Sequence, residues 1–245
     1  AVKMRTEPGK EIEEKATLRC LAIETSTEIC SVALSVDSEI IVMESRGEET
    51  HSECILPMID RLMRKTTVSL DEIDVIGFGA GPGSFTGVRL GCSVAQGIAF
   101  AKSIPVVPVS SLEALAQATK FDKVVICQDA RMKQVYSAAY INSGGVWLPQ
   151  AEPCVCDPED VHRPEGDDWV VCGSGVLAYL EVLEPYFSAS KMKINTECSI
   201  PSAREIATIC VREFESGNAV IADDAEPIYV RNKVALTLDE QASNR

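Results

Sequence analysis

The chain has 245 residues, which is enough for one large domain or two small ones. Hydrophobic residues make up 46% and charged residues 24%, as in an ordinary soluble globular protein, and no apolar run approaches the ~20 residues of a membrane span. The net charge of −14 argues against direct binding of a nucleic acid, because phosphates normally require a surface rich in Lys and Arg.

The first half of the chain predicts a sheet flanked by helices. Residues 1–17 are polar and lack the apolar core of a secretory signal, which excludes such a signal. We expect a disordered leader, with an atypical extension or a cloning remnant as the alternatives. Thr50 and Glu53 form a capping box that predicts the start of a helix running to about Lys65. With the other patterns the order is βββαβαβα, with strands over 18–24, 29–36, 39–45, 74–80 and 105–109 and further helices over 88–102 and 111–119.

A glycine-rich segment, 79–91, joins the strand over 74–80 to the next helix. It is not a Walker A loop, because Val88 and Arg89 follow Gly87, and Ser84 stands where a dinucleotide fingerprint has its third glycine. Two interpretations stay open: a tight turn where backbone approaches backbone, or an anion-binding loop at a helix N-terminus. The candidate anion ligands are Gly83, Ser84, Thr86 and Arg89.

Arg89 follows the glycines at a helix N-terminus, where a cation is mildly unfavourable. We therefore expect a compensating partner, and a carboxylate of the same chain is favoured over a phosphate or an acid of a partner protein.

The second half repeats the strand-then-helix order. Strands are predicted over 123–129, 134–142, 146–148, 152–156 and 169–172, with a short helix from 157, a helix over 176–187, and a helix from Pro201 to about 216. We therefore predict an α/β fold with two similar subdomains, 18–121 and 122–232, followed by a tail over 233–245.

The chain has ten cysteines, most of them inside apolar strand or helix patterns. We expect reduced structural thiols rather than disulfides or zinc sites. Cys154 and Cys156 are the only close pair, and we expect their side chains to point to opposite faces of a strand, which would not suit a shared metal. The ten positions are Cys20, Cys30, Cys54, Cys92, Cys127, Cys154, Cys156, Cys172, Cys198 and Cys210.

Six segments, in order along residues 18 to about 232, resemble the TsaB (YeaZ) family. They are Leu21-Ala22-Ile23-Glu24-Thr25-Ser26-Thr27, His51 with Ile55-Leu56-Pro57, Gly81-Pro82-Gly83-Ser84-Phe85-Thr86-Gly87-Val88-Arg89, Val109-Ser110-Ser111-Leu112-Glu113-Ala114-Leu115-Ala116, Asp129-Ala130-Arg131-Met132-Lys133-Gln134-Val135-Tyr136 and Pro227-Ile228-Tyr229-Val230-Arg231. The glycine loop and the Asp-Ala-Arg-Met motif make the resemblance specific.

The resemblance implies an actin/Hsp70/sugar-kinase-like (ASKHA, ribonuclease H-like) fold with two similar subdomains. It also implies a cytoplasmic, non-catalytic subunit for threonylcarbamoylation of adenosine 37 in transfer RNAs that read ANN codons. Its partners would be a TsaD-type paralogue, which holds the metal and transfers the group, and a TsaE-type ATPase. The chain would meet transfer RNA only indirectly, would not meet a membrane, and would form a homodimer when alone.

The residues themselves argue against catalysis by this chain. The TsaD-type paralogue holds its metal with a His-x-x-x-His pair on its first helix, whereas here Ile55 stands four residues after His51 and the other histidine is His162. We therefore expect no metal and no glycoprotease activity. The remaining catalytic alternative is an ATP-dependent phosphotransferase or ATPase of the same fold.

The phosphate-binding turns of such kinases lack their glycines here. Glu24-Thr25-Ser26-Thr27 and Asp129-Ala130-Arg131 stand in their places. We therefore expect no catalytic residue and no cofactor, with weak ATP or ADP binding as the remaining option. A short Gly173-Ser174-Gly175 turn suits an adenosine or any other turn between strand and helix.

The remaining surface for function is a partner interface on two helices. Helix 51–65 carries an apolar stripe, and helix 88–101 is apolar nearly all round, so the latter must be covered on more than one side. Other helices of this chain and a helix of a partner protein could cover this apolar surface equally well. The resemblance favours the partner. The interface residues predicted on this basis are Ile55, Met58, Ile59, Leu62, Val94 and Ile98.

Overall fold

A computed structural model describes residues 17–230, except positions 38, 48, 191, 198 and 199. Apart from residue 17, the predicted leader lies outside the described residues, and so does the whole predicted tail. In the described part of the chain, no helix is both long and apolar enough to cross a membrane.

The first five-stranded sheet is built from an antiparallel meander followed by parallel strands. Its strands are β1 (Arg19–Glu24), β2 (Cys30–Val36), β3 (Glu39–Ser45), β4 (Val75–Gly81) and β5 (Val106–Ser110). Their order is β3-β2-β1-β4-β5, with β1 antiparallel to β2 and parallel to β4. Helix α1 (His51–Thr66) connects β3 to β4, and α2 (Phe85–Lys102) connects β4 to β5.

The second sheet repeats this plan. Its strands are β6 (Lys123–Asp129), β7 (Val135–Ser143), β8 (Val146–Cys156), β9 (Val170–Cys172) and β10 (Lys193–Ile194). Their order is β10-β9-β6-β7-β8, in which β6, β7 and β8 form the meander and β9 runs parallel to β6. Helix α3 (Ser111–Ala118) leads from β5 of the first sheet to β6, and α4 (Ser174–Ala178) and α5 (Leu180–Ser188) connect β9 to β10. The repeated strand-then-helix order expected from the sequence is confirmed.

Each sheet is buried on both faces. Leu21, Ile23 and Phe78 of the first sheet pack against α1 and α2 in one apolar cluster, and Cys20 and Ala22 face a second cluster on the opposite side. On the second sheet, α4 and α5 cover one face and α3 the other. Because parallel strands covered on both faces must be apolar throughout, β4 reads as a continuous run of small and apolar residues.

The last helix, α6 (Ala203–Glu215), follows the second sheet in the chain but packs on the first. Its buried side chains, including Ile206 and Cys210, lie in the cluster behind β1 and β4. Gly77 of β4 makes this possible, because a Cβ there would lie 2.7 Å from Cys210 Cβ. The segment after α6 stays with the first sheet, since Val220 bridges to Val106. The division into subdomains 18–121 and 122–232 stays a prediction.

Several predicted boundaries were wrong. Helix α2 begins at Phe85 rather than at residue 88, because the hydroxyl of Ser84 accepts a hydrogen bond from Gly87 N and caps the helix. Helix α6 begins after Ser202, whose hydroxyl accepts from Arg204 N, rather than at Pro201. The helix expected over 176–187 is two helices, α4 and α5, and the segments expected over 146–148 and 152–156 form one strand.

Candidate functional site

A cleft of about 730 Å³ lies where the turns of the two sheets face each other. The β1–β2 turn and the β4–α2 turn contribute one wall, and the β6–β7 turn contributes the other. Residues 228–230 complete the rim. The lining residues are Ser26, Thr27, Glu28, Pro82, Gly83, Ser84, Phe85, Val88, Gln128, Asp129, Ala130, Arg131, Met132, Tyr136, Ser174, Ile228, Tyr229 and Val230.

The glycine loop holds the β1–β2 turn by close backbone contact. A Cβ on Gly83 would lie 2.5 Å from Ser26 O, and one on Gly87 would overlap the carbonyl oxygen of Thr25. Ser84 N donates to Ser26 O at 2.7 Å, and Thr25 Oγ1 donates to Gly87 O at 2.7 Å. Of the two interpretations of this loop, the geometry therefore favours the turn in which backbone approaches backbone.

The predicted anion ligands are only partly brought together. Gly83 and Ser84 line the cleft, whereas Thr86 and Arg89 do not belong to its lining. The hydroxyl of Ser84 is occupied as the cap of α2, as described above. The assignment of these four residues to an anion stays a prediction.

Among the described residues, Arg89 has aromatic partners rather than the expected carboxylate. Its guanidinium carbon lies 3.3 Å from the centroid of the Phe85 ring and 5.3 Å from that of Tyr229. Arg89 Nε also donates to the phenolic oxygen of Tyr229 at 3.0 Å. No ion pair joins Arg89 to a carboxylate among the residues that the structure describes, so the expected carboxylate partner stays a prediction. The cation instead joins the start of α2 to the segment at the rim of the cleft, through cation–π contacts.

Glu24 is a buried carboxyl group behind the cleft. It is fully buried, accepts hydrogen bonds from Ser26 N and from the hydroxyl of Ser111, and burial raises its pKa above the usual range. A Cβ on Gly79 would overlap its carboxylate, so only glycine fits there. The carboxyl group thus ties the β1–β2 turn to the start of α3.

The β6–β7 turn forms the opposite wall with an unusual backbone. Arg131, Met132 and Lys133 have φ angles of 61°, 54° and 62°, which is the left-handed region. Such a conformation costs a non-glycine residue about 1–2 kcal/mol. Asp129 stabilises the turn, because its Oδ1 accepts from Arg131 N at 2.9 Å and from the hydroxyl of Tyr179 at 3.1 Å. Asp129 therefore acts as a turn-forming residue in this structure.

Gln128 was not singled out from the sequence. Its side chain is 6% exposed and lines the cleft, and its Oε1 atom has no hydrogen-bond partner among the described residues. A buried amide oxygen without a partner is unfavourable by about 1–3 kcal/mol. A hydrogen-bond donor on a ligand would relieve this cost.

The charges of the described lining offer little to the phosphates of a nucleotide. Among the lining residues that the structure describes, Arg131 is the one cation, against the two acids Glu28 and Asp129. Phosphate groups normally require several cations or open backbone N–H groups. At the first turn, Ser84 N donates to Ser26 O and Ser26 N donates to Glu24 Oε1, so these two N–H groups are already engaged.

The histidine at the start of α1 is engaged with the backbone. His51 Nε2 lies 3.3 Å from Glu28 O, and Ile55, one turn on, is buried in the first core. His162 is exposed on the second half of the chain. Among the residues that the structure describes, no three His, Cys, Asp or Glu side chains are placed to hold a metal ion.

Four of the six residues predicted for a partner interface are core residues. Ile55, Met58, Ile59 and Leu62 are between 0% and 4% exposed and pack on the first sheet of their own chain. The apolar stripe of α1 is thus the face that covers the sheet, and the prediction of these four was wrong. Val94 and Ile98 are half-buried against the same cluster, and their role at an interface stays a prediction.

A different stripe of α2 faces outward. We call it the α2 face: Thr86, Leu90, Ser93, Gly97 and Phe100, of which Leu90 is half-buried and the others are exposed. These positions recur every three or four residues, which is the spacing of a seam between packed helices. Phe100 is 72% exposed, and a Cβ on Gly97 would meet nothing within 4 Å. Leu56 of α1 adds a side chain that is 56% exposed.

The paired cysteines of β8 lie on one face of the strand. The expectation of opposite faces was wrong, because residues two apart in a strand point to the same side. A hydrogen bond between the two thiols lowers the pKa of Cys154 to about 7 and raises that of Cys156. The nine cysteines that the structure describes form no disulfide, and Cys198 lies outside the described residues.

Comparisons with known proteins agree with the fold. A family model described as "TsaD: tRNA N6-adenosine threonylcarbamoyltransferase" matches residues 42–236. The chain is 35% identical to the protein of Haemophilus influenzae named "tRNA threonylcarbamoyladenosine biosynthesis protein TsaB", over 89% of this chain and 95% of that protein. It is 34% identical to the protein of the same name in Escherichia coli, over 89% and 96%.

Solved structures give the same result. "YeaZ from Pseudomonas aeruginosa" is 33% identical, with a TM-score of 0.78 over 86% of this chain and 99% of that one. A second structure from Pseudomonas aeruginosa, described as similar to peptidase YEAZ, reaches a TM-score of 0.79 at 33% identity, over 87% and 100%. The family model carries the name of the transferase, but the relatives matched over nearly their whole length are TsaB proteins. With its two mixed sheets and its similarity to these proteins over most of its length, the chain belongs to the TsaB (YeaZ) family.

Proposed function

We propose that this chain is a non-catalytic subunit in the biosynthesis of threonylcarbamoyladenosine at position 37 of transfer RNAs that read ANN codons. One observation carries the proposal. The chain is 35% and 34% identical, over most of its length, to two proteins that are named for this pathway. Since transfer RNA is modified in the cytoplasm, the protein would work there.

The chemistry of the site supports an accessory role. The position that would complete a His-x-x-x-His metal pair is Ile55, and His51 is held against Glu28 O. The described lining residues of the cleft have a negative balance, and the first phosphate turn, at 25–26, is held by close backbone contacts with 83–87. An ATPase or phosphotransferase therefore has little support here, and we propose at most weak ATP or ADP binding in the cleft. Fluorescence titration with a labelled ADP tests this directly.

The partner we propose is a TsaD-type transferase, bound through the α2 face. Small residues at Ser93 and Gly97 let a second helix approach closely, while Phe100 and Leu56 offer apolar area. The stripe carries no charged side chain, whereas the chain as a whole has a net charge of −14. When the transferase is absent, the same surface would pair two copies of this chain.

The role of the pairing would be allosteric. Binding of this chain would favour the arrangement of the transferase that is competent for group transfer, because a partner shifts an equilibrium toward the state it binds better. A TsaE-type ATPase would join the pair, and transfer RNA would be bound chiefly by the other subunits, since this chain is acidic.

Light scattering on mixtures of the purified chain with the TsaD-type transferase of the same cell tests the pairing. A single species with the summed mass of both proteins supports the proposal. Two species that keep their separate masses at micromolar concentrations contradict it.

A further inference from the structure

The pair Cys154 and Cys156 lies apart from the cleft and the α2 face. Both residues belong to β8, which is the last strand of the order β10-β9-β6-β7-β8 and therefore an edge of the second sheet. Cys154 is exposed and Cys156 is half-buried, whereas the other seven described cysteines are buried. The pair is the accessible thiol cluster of the described chain.

The register of the sheet fixes which way the two thiols point. Cys156 is paired with Val135 and Cys154 with Ser137, while Ser137 is paired on its other side with Cys127. Val135 and Cys127 are members of the core cluster under α4 and α5. The two thiols thus lie next to each other on one face of the second sheet, at its edge strand β8.

The geometry separates metal binding from disulfide formation. The Cα atoms of residues i and i+2 in an extended strand are about 6.6 Å apart. This distance is at the upper end of the Cα–Cα distances of roughly 4.4–6.8 Å that a disulfide accepts. A disulfide would therefore lie at the limit of the Cα distances that it accepts. A metal ion requires less, since two metal–sulfur bonds of about 2.3 Å bridge up to about 4.6 Å between the sulfur atoms.

We propose that Cys154 and Cys156 form a two-thiolate site for a soft monovalent cation, Cu(I). Thiolates select soft metal ions, and Cu(I) is stable with two of them. Zn²⁺ would require four ligands, and the described chain offers no cluster of three or more donors. The acidic Asp157, Glu159 and Asp160 follow the pair on the chain and add a favourable field for a cation.

Binding involves no change of oxidation state. Cu(I), supplied as such, forms two Cu–S bonds while the two S–H bonds break and both protons pass to solvent. The resulting bis-thiolate carries one negative charge.

Anaerobic titration with Cu(I) against a chromogenic chelator of known affinity tests the site. The full chain is used in a Cys198→Ser background, because that thiol lies outside the described residues. We expect one tightly held equivalent of copper. Cys154→Ser and Cys156→Ser should each remove it, since neither thiol alone can bridge.

Cys92→Ser is the matched control. Cys92 is buried and its thiol donates to Ala225 O at 3.3 Å, a bond that a hydroxyl can keep, so this variant should retain the equivalent of copper. Circular dichroism verifies that each variant folds. An unchanged equivalent in the Cys154→Ser/Cys156→Ser double variant, or formation of a Cys154–Cys156 disulfide without any copper uptake, would overturn the proposal.

Discussion

At the scale of single residues, the packing of the cleft depends on a carboxyl group that water does not reach. Glu24 is held by Ser26 N and the hydroxyl of Ser111, and burial raises its pKa. Its proton is therefore bound more tightly in the folded chain than in the unfolded chain. The stability from this difference is present below the unfolded pKa of about 4.3 and is lost as the pH rises through the folded value.

Glu24→Gln should abolish this dependence, because an amide has the same shape and does not ionise in this range. We expect the free energy of unfolding of the variant, relative to that of the wild type, to increase as the pH rises from 5 to 8. Urea unfolding at both pH values measures the difference, in which the other titrating groups largely cancel. If the variant and the wild type differ in unfolding free energy by the same amount at both pH values, Glu24 is not a buried titrating group.

Two glycines of α2 provide a matched pair for the backbone contact at the cleft. A Cβ at Gly87 would overlap the carbonyl oxygen of Thr25, whereas one at Gly97 would meet nothing within 4 Å. We expect Gly87→Ala to lower the free energy of unfolding by about 2 kcal/mol through overpacking. Gly97→Ala should raise it by about 0.5–1 kcal/mol through helix propensity. Equal effects in thermal or urea unfolding would contradict the close contact between 25 and 87.

At the scale of elements, α2 has two roles on opposite sides. One side packs on the first sheet through Val88, Cys92 and Ala95, and the other is the α2 face. A charge placed at the middle of the α2 face should leave the fold intact but prevent a second helix from packing there, because an unpaired charge would be desolvated.

Gly97→Glu should therefore weaken pairing with the transferase at least tenfold, as measured by calorimetry. Thr208→Glu, which adds the same charge at an exposed position of α6, is the control and should pair like the wild type. If both variants pair equally well, the α2 face is not the interface.

The same helix shows what its sequence could and could not predict. Helical periodicity predicted α2, but its start was placed three residues late, because glycines at 83 and 87 suggested a loop where Ser84 caps a helix. For α1, the capping box of Thr50 and Glu53 predicted the start correctly. Its apolar stripe was assigned to a partner, because a stripe shows that a face is covered and not by which element.

The contacts of the cleft were harder to predict. Glu24 fills the space beside Gly79, and Gln128 Oε1 has no hydrogen-bond partner within the described part of the chain. Both features depend on strands that are far apart in sequence. The approach of Arg89 to Tyr229 joins residues 140 positions apart. No local pattern contains these long-range contacts.

At the scale of the whole molecule, Arg212 joins α6 to both halves of the chain. Arg212 Nη2 lies 2.7 Å from Glu113 Oε1, and Nη1 donates to Gly145 O in the β7–β8 turn at 2.8 Å. Burial raises the pKa of Glu113, although Arg212 opposes the rise. The guanidinium is thus the contact that links the helix on the first sheet with α3 and the second sheet.

Arg212→Ala should lower the free energy of unfolding by about 1–3 kcal/mol, since it leaves a half-buried carboxylate and a carbonyl without their donor. Arg64→Ala is the control. Its exposed pair with Asp60, at 3.0 Å within α1, should contribute less than about 0.5 kcal/mol. Chemical unfolding of both variants measures the contrast, and similar losses would contradict the linking role of Arg212.

The central claim is that this chain activates a transferase without catalysing the reaction itself. The most direct test is reconstitution of the modification with the TsaD-type transferase, the TsaE-type ATPase, threonylcarbamoyl-AMP and unmodified transfer RNA, with nucleosides measured by mass spectrometry. We predict threonylcarbamoyladenosine when both this chain and the transferase are present, and none when either is left out. An equal yield without this chain would contradict the account.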